Sequence, residues 1–291
     1  MKTYRMVTPQ EQELYFQQVY PLQDFVFSLV EGVPDLYLSG GTALTRFYFA
    51  HRLSDDLDFF IKIHPQEPLE FIQNVKRTDL FARDLAGKLS RTYDIVNEWY
   101  HEAYSRFFIR TPDFSMKIDF VREYHHYGEL SPQPFGILLN NLEDIGACKV
   151  AAFEDRCEVK DVVDLFFLSK QISLARLFEL ADMKRIPLAY EHLLTINTQG
   201  LSGAVLMLQD MHEQEFSSFV LTLKETAEAE IKKKEALLTE AEIKEAVTMN
   251  LWDLPSELKN INPVSKPLLM RRLHTLPLPL RNVLSRQLSF Q

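Results

Sequence analysis

Ser39-Gly40-Gly41-Thr42-Ala43-Leu44, followed by His51-Arg52-Leu53-Ser54-Asp55-Asp56-Leu57-Asp58-Phe59-Phe60, is the stretch on which the reading of this chain turns. Asp35-Leu36-Tyr37-Leu38-Ser39 has the character of a short buried strand, and Gly40-Gly41 breaks it. Thr42 to His51 reads as a helix. Leu57 to Ile61 reads as a second strand, with polar residues ahead of it as a turn. Side chains alternate across a strand, so Asp56 and Asp58 share one face while Leu57 points into the core. Backbone N–H groups at a strand-to-helix glycine turn can hold a phosphate. Two carboxylates on one face offer hard oxygen ligands to a divalent cation such as magnesium. Only a helix and a return turn separate the two motifs, which brings both to the same sheet edge.

Upstream, Thr8-Pro9 reads as an N-cap and first helical residue. Apolar residues at helical spacing then carry one helix to about Glu31. Downstream, residues 67 to 90 read as one or two helices. Tyr93 to Trp99, Arg106 to Arg110 and Ser115 to Val121 read as strands, with Thr111-Pro112-Asp113 a turn between the last two. Asp119 lies between apolar neighbours on that last strand, where a carboxylate is costly unless paired or metal-bound. It suits a third metal ligand beside Asp56 and Asp58. From Leu142 the pattern turns almost wholly helical, and Thr222 to Leu251 is a long charged amphipathic segment. There is no internal repeat and no Gly/Ser linker. The chain is therefore read as α/β: a mixed-sheet core over residues 1–140, then a mostly helical half over 141–291 packed closely against it.

The bulk numbers fit. A chain of 291 residues with 46% apolar and 25% charged residues can bury a substantial core. No apolar run is long enough to cross a bilayer, and the N-terminus lacks the apolar stretch of a secretory signal. The two cysteines, Cys148 and Cys157, form no C-x-x-C pair. A reduced, cytoplasmic protein without disulfides or zinc is the simplest expectation. The net charge of −9 argues against a generally nucleic-acid-binding surface. The charge is uneven, however: past Glu257 come Lys259, Lys266, Arg271, Arg272, Arg281 and Arg286 with no acid among them. That tail could meet phosphates, or pack on the acidic body, which its interleaved leucines favour slightly.

The Gly40 to Phe60 block resembles the signature of the AbiEii/AbiGii toxin-type nucleotidyltransferases, of the DNA polymerase β-like superfamily. Lys149-Val150-Ala151-Ala152-Phe153-Glu154-Asp155-Arg156 and Lys160-Asp161-Val162-Val163-Asp164-Leu165 resemble the family's later motifs. The resemblance covers residues 35 to 62 and 142 to 168. Lys160 stands where arginine is common, and a lysine cannot reproduce bidentate contacts. The resemblance implies a nucleotidyltransferase core that moves a nucleoside monophosphate from an NTP to an acceptor, with magnesium as cofactor. Relatives of this type modify RNA, including tRNA 3′ ends, and pair with an antitoxin protein. By motif, Gly41 and Thr42 would touch the phosphates, Asp56 and Asp58 would bind Mg2+, and Lys149 would sit near the phosphates; an NTP would then lie with its triphosphate against the Gly40-Gly41-Thr42 turn. Asp161 would be either a base for the acceptor or a structural partner of Lys149.

Several of these residues have plainer readings. Arg52 could clamp a phosphate or pair with Asp55. Ser54 reads best as a turn cap, and His51 as a contact to the helix C-terminus. Lys149 could be a snorkelling lysine, and Asp161 a surface acid; Asp164 should face a polar partner. Phe47-Tyr48-Phe49 reads as core, and the Glu/Lys run from Lys224 to Lys244 as a solvated helix face. Two other functions stand beside the first: transfer to a small molecule or protein, and a non-catalytic nucleotide-binding module of the same fold.

Overall fold

The computed structural model describes residues 4–184, 188, 190–196 and 204–237. The basic tail from Lys259 to Arg286 and the part of the charged segment beyond residue 237 lie outside the described residues.

Strand β1 (Tyr4–Met6) leads into helix α1 (Pro9–Leu14), which opens as its sequence requires. Thr8 caps the N-terminus, and Glu11 returns the bond in a capping box. The single helix expected here is interrupted. A π-helical turn spans Tyr15–Val19, and helix α2 (Tyr20–Leu29) follows. Pro21 explains the widening. It has no N–H to give Gln17, and the turn before it relaxes so that the Tyr20 N–H reaches the Tyr15 carbonyl.

Strand β2 (Leu36–Ser39) ends at Gly40, where helix α3 (Gly40–Ala43) begins and continues as a π-helical turn over Leu44–Phe49. This helix starts two residues earlier and ends two residues sooner than the sequence suggests. Ala50 stops it in the left-handed region, at φ 48°, and turns His51 and Arg52 into the interior. Strand β3 (Leu57–Lys62) alternates as expected, with Leu57, Phe59 and Ile61 buried and Asp58, Phe60 and Lys62 on the other face. Helices α4 (Leu69–Asn74) and α5 (Thr78–Leu89) follow, then strands β4 (Asp94–Tyr100), β5 (Tyr104–Arg110), β6 (Ser115–Glu123), β7 (Ser131–Pro132) and β8 (Leu138–Leu139). The rest is mostly helical: α6 (Leu142–Arg156), α7 (Val159–Leu168), α8 (Leu174–Lys184), α9 (Glu191–Leu194), the short strand β9 (Val205–Met207) and α10 (Glu213–Leu237).

The main sheet has seven strands in the order β4-β5-β6-β3-β2-β8-β7. Pairs β3/β6 and β2/β8 are parallel and the others antiparallel, so the sheet is mixed. One face packs on α5 and α2 through Phe27, Phe59, Phe107, Ile118 and Leu85, all buried. The same buried cluster continues through Val150, Leu165 and Phe178 of the helical half and Leu223 of α10. That half also returns to the sheet side along the backbone. β1 pairs with β9, and the Leu53 N–H donates to the Leu206 carbonyl at 2.8 Å. On α10, Phe216, Val220, Leu223, Ala227 and Ile231 are buried while Lys232 pairs with Glu228 outside, so the described part of the Glu/Lys run is the polar side of an amphipathic helix.

Candidate active site

The sheet register builds the site. Ser39 pairs with Asp58, and Asp58 pairs with Asp119. The two acids from different strands therefore stand side by side, one strand from the Gly40 turn. Gly40 is required twice over. Its φ of +70° lies in the region glycine tolerates, and a Cβ there would fall inside the Asp58 carboxylate. A Cβ on Gly41 would collide with the Arg52 guanidinium. Thr42 is fully buried; its hydroxyl donates to the Asp56 carbonyl and shares a hydrogen bond of 3.0 Å with the Ser54 hydroxyl. Thr42 and Ser54 thus clamp the acidic loop to the first turn of the helix.

The carboxylates of Asp56 and Asp58 converge on one cation, the Lys117 ammonium. Its Nζ lies 3.4 Å from Asp56 and 3.5 Å from Asp58, and 2.7 Å from Asp119. Burial raises the Asp56 pKa, and the like charges of Asp58 and Asp55 add to that, against the pull of Lys117. The Lys117 pKa is raised too, because the three acids outweigh its burial. Lys160 of α7 reaches within 4.0 Å of Asp56. Two oxygen donors facing one cationic point suit a hard divalent ion such as magnesium.

Asp119, expected as a third metal ligand, is held by more partners than Asp56 or Asp58. It stands in register with Asp58, but its carboxylate is already engaged. Arg106 holds both oxygens as a fork at 2.7 and 3.0 Å, the Tyr104 hydroxyl donates at 3.1 Å, and Lys117 completes the set. Burial alone would raise its pKa; Arg106 and Lys117 overcome that and hold it low. As placed, Asp119 orients two cations rather than offering an open ligand.

The late motif also falls differently from its expected role. Lys149 is buried with its Nζ 2.6 Å from Asp164 and 3.1 Å from Asp161, so its charge is spent inside the protein rather than turned to a phosphate. Arg52 faces Asp164 rather than Asp55. Its Nε and Nη2 fork onto Asp164 at 2.7 and 2.9 Å. His51 is buried too and donates Nε2 to Asp164 at 2.8 Å. Of the two readings of Asp161, the structural one fits, since Lys149 and both Arg156 donors bind it. Asp164 has the polar partners expected of it. Burial would raise the Asp164 pKa, but Arg52 and Lys149 hold it well below the carboxylate range. Burial outweighs Asp164 at His51 and lowers its pKa.

The residues that sequence reasoning missed are Lys117, which reaches all three acids, and Arg106 and Tyr104, which reach Asp119. Lys117 could have been found from its spacing, two residues before Asp119 on one face of a strand. Two further acidic groups occur among the described residues, Asp35/His64/Glu67 and Glu123/Asp144/Cys148. Each is neutralised by a lysine: Lys76 lies 2.8 Å from Asp35, and Lys184 lies 2.7 Å from Asp144. Past Asp58 and Asp119 the same sheet face continues to Phe60 and Val121. They line a cleft of about 710 Å³ walled by Met183, Lys184 and Leu188 of the helical half. Cys148 and Cys157 are not joined in a disulfide. Among the described residues no helix is long and apolar enough to cross a membrane.

A mixed sheet, a glycine turn opening a helix, and a pair of acids at the start of the adjoining strand are the parts of a nucleotidyltransferase fold. The model of the AbiEii nucleotidyltransferase toxins, of type IV toxin–antitoxin systems, matches residues 22–240, and the chain belongs to that family. A protein of Aquifex aeolicus that carries no functional description is 31% identical over 140 residues, 47% of this chain. The chain spans 59% of the length of that relative. Among solved structures, the MenT4 nucleotidyltransferase toxin of Mycobacterium tuberculosis superposes with a TM-score of 0.51 at 15% identity, over 72% of this chain and 82% of that one, which supports the fold. JHP933 of Helicobacter pylori matches with a TM-score of 0.46 at 20% identity, over 84% of this chain and 100% of its own.

Proposed function

We propose that the chain transfers a nucleoside monophosphate from an NTP to the end of an RNA, such as a tRNA 3′ end, as the toxin of a toxin–antitoxin pair acting in the cytoplasm with an antitoxin protein as its partner. The observation that carries this reading is the convergence of the Asp56 and Asp58 carboxylates on one cationic point beside the Gly40-Gly41 turn. When bound there, Mg2+ would offset negative charge on the transferring phosphoryl group. Asp56 and Asp58 would hold it. The N–H groups of the Gly40-Gly41-Thr42 turn, unpaired within the helix, would face the triphosphate. Lys160 is the cation of the helical half nearest the acids, and we assign it the phosphate contact expected of Lys149. Lys149, Asp161, Arg52 and Asp164 act behind it, holding α6 and α7 against the loop that carries Asp56.

The test is incubation of the whole chain with labelled NTPs, Mg2+ and total RNA. Label should enter RNA and be lost with Asp58→Asn. Gly40→Ala should fall by about 100-fold, the cost of a reacting group misplaced by roughly 1 Å. If no NTP labels any RNA while the protein is folded, the RNA reading is wrong. Label entering a small molecule or a protein instead would move the acceptor class.

A further inference from the structure

One row of side chains crosses the exposed sheet face from the glycine turn to the sheet edge. The registers are Ser39 to Asp58, Asp58 to Asp119, Asp119 to Arg106, and Arg106 to Trp99. Trp99 lies on the edge strand β4 and is 52% exposed, an unusual place to leave an indole. Its position is built rather than incidental. Between Val96 and Trp99, β4 carries one residue more than β5 does between Phe108 and Arg106, and Asn97 takes up the excess at φ +53°. In a regular strand Glu98, not Trp99, would stand opposite Arg106. Bulges of this kind re-aim side chains. Two rings contact the indole while it stays half exposed. His101 stacks with it at 5.9 Å and 11°, and Tyr104 meets it at 5.2 Å. Tyr104 in turn carries Arg106 over its ring and donates its hydroxyl to Asp119.

We propose that Trp99, braced by His101 and Tyr104, is the stacking platform for a base at the single-stranded end of the RNA acceptor. The inference rests on the transferase reading above and adds the direction from which the acceptor arrives. In-line transfer needs the attacking hydroxyl opposite the leaving pyrophosphate. With the triphosphate at the Gly40 turn, the acceptor comes from the far side of Asp58, across β6 and β5 toward Trp99. Strands lie about 4.8 Å apart, so Trp99 is three spacings, roughly 14 Å, from Asp58. That span suits a terminal nucleotide and its neighbour. The edge strand leaves the rest of the polymer room to run into solvent. Arg106 and Arg110 lie on the same face; Arg106 is forked onto Asp119, and Arg110, 58% exposed with Asp94 at 3.7 Å, is the one placed to meet the backbone. Aromatic rings beside arginines are the usual means of holding single strands without reading their sequence.

The test uses the full chain with Asp58→Asn in EDTA, so that binding is read without transfer. The probe is a single-stranded 12-nucleotide RNA carrying 2-aminopurine near its 3′ end. Trp99→Ala should weaken RNA binding by about 5- to 150-fold, the worth of one base–aromatic stack, and remove the 2-aminopurine quenching. Trp99→Phe should keep most of both. Binding of a non-hydrolysable NTP with Mg2+ to the chain without the Asp58 change should be unaffected by Trp99→Ala, and circular dichroism should show the fold intact. RNA affinity unchanged in a folded Trp99→Ala protein would overturn the proposal. So would loss of NTP binding instead, which would give the platform to the incoming base, or loss only of a protein partner. If RNA binding depends on Trp99 but no RNA is ever labelled, the transferase reading fails alone. If RNA is labelled equally well by Trp99→Ala, this inference fails alone.

Discussion

Lys117 sits where the acid pair needs a positive charge, within 3.5 Å of Asp56 and Asp58 and hydrogen-bonded to Asp119. An ammonium and a divalent ion cannot share that point, so Lys117 competes with metal for the same oxygens. A unit charge at about 4 Å is worth on the order of 1–4 kcal/mol between bulk-water and protein-surface dielectrics. Lys117→Met should therefore tighten Mn2+ binding about tenfold or more, read by EPR titration of the free ion. Equal or weaker binding would show that the lysine supports the metal rather than opposing it. This residue also marks where sequence reading stops. Asp56 and Asp58 were legible because period-two alternation is local. That Asp119 stands next to Asp58 depends on a parallel pairing between distant strands, and the engagement of Asp119 by Arg106 and Tyr104 depends on a further antiparallel pairing. Neither register is written in local spacing.

At the scale of elements, α6, α7 and the loop after Ala50 meet through ions rather than through apolar contacts alone. Asp164 of α7 is fully buried and serves Arg52, His51 and Lys149 at once. The sequence pattern makes α6 and α7 helices, and the family resemblance turns Lys149 toward the phosphates while leaving Asp161 as an acceptor base or a structural partner of Lys149. Both are buried, and the left-handed turn at Ala50, which no apolar periodicity predicts, brings His51 and Arg52 into the interior to meet Asp164 beside them. Removing one member of such a set leaves its partners charged and unpaired. Asp164→Ala should cost about 3–5 kcal/mol in urea unfolding; a loss under 1 kcal/mol would mean that water reaches the set. The pH response has a definite sign. His51 has a folded pKa below its unfolded value of about 6.5, because burial disfavours its charged form. Its contribution is therefore complete above about pH 6.5 and is lost as pH falls toward the folded pKa. Asp164, whose pKa is held low by Arg52 and Lys149 against its burial, contributes above the ordinary carboxylate range and is lost only in stronger acid. Stability should begin to fall just below pH 6.5, and His51→Gln should flatten that first slope.

For the whole molecule, the change from sheet to helix near residue 140 was visible in the shift of periodicity, but the way the halves join was not. The buried cluster runs without a break from Phe59 and Leu57 in the sheet to Val150, Leu165 and Phe178 in the helices. The backbone crosses the boundary as well, since β9 pairs with β1 at the start of the chain and Leu208 donates to the His51 carbonyl at 2.8 Å. The loop that carries Asp56 is thus held on one side by Thr42 and on the other by residues from beyond the helical segment. Residues 1–140 alone would expose the apolar side that α6 and α7 cover and would leave the Arg52 guanidinium without its carboxylate. The two regions share one core, so we expect a single unfolding transition across them, with far-UV ellipticity and Trp99 fluorescence, read against a Trp252→Phe background, changing together in urea. A fragment of residues 1–140 should fail to give a dispersed amide NMR spectrum. A folded fragment, or two separated transitions, would show that the joint is a docking surface between independent units, and that the position of Asp56 is set by the sheet alone.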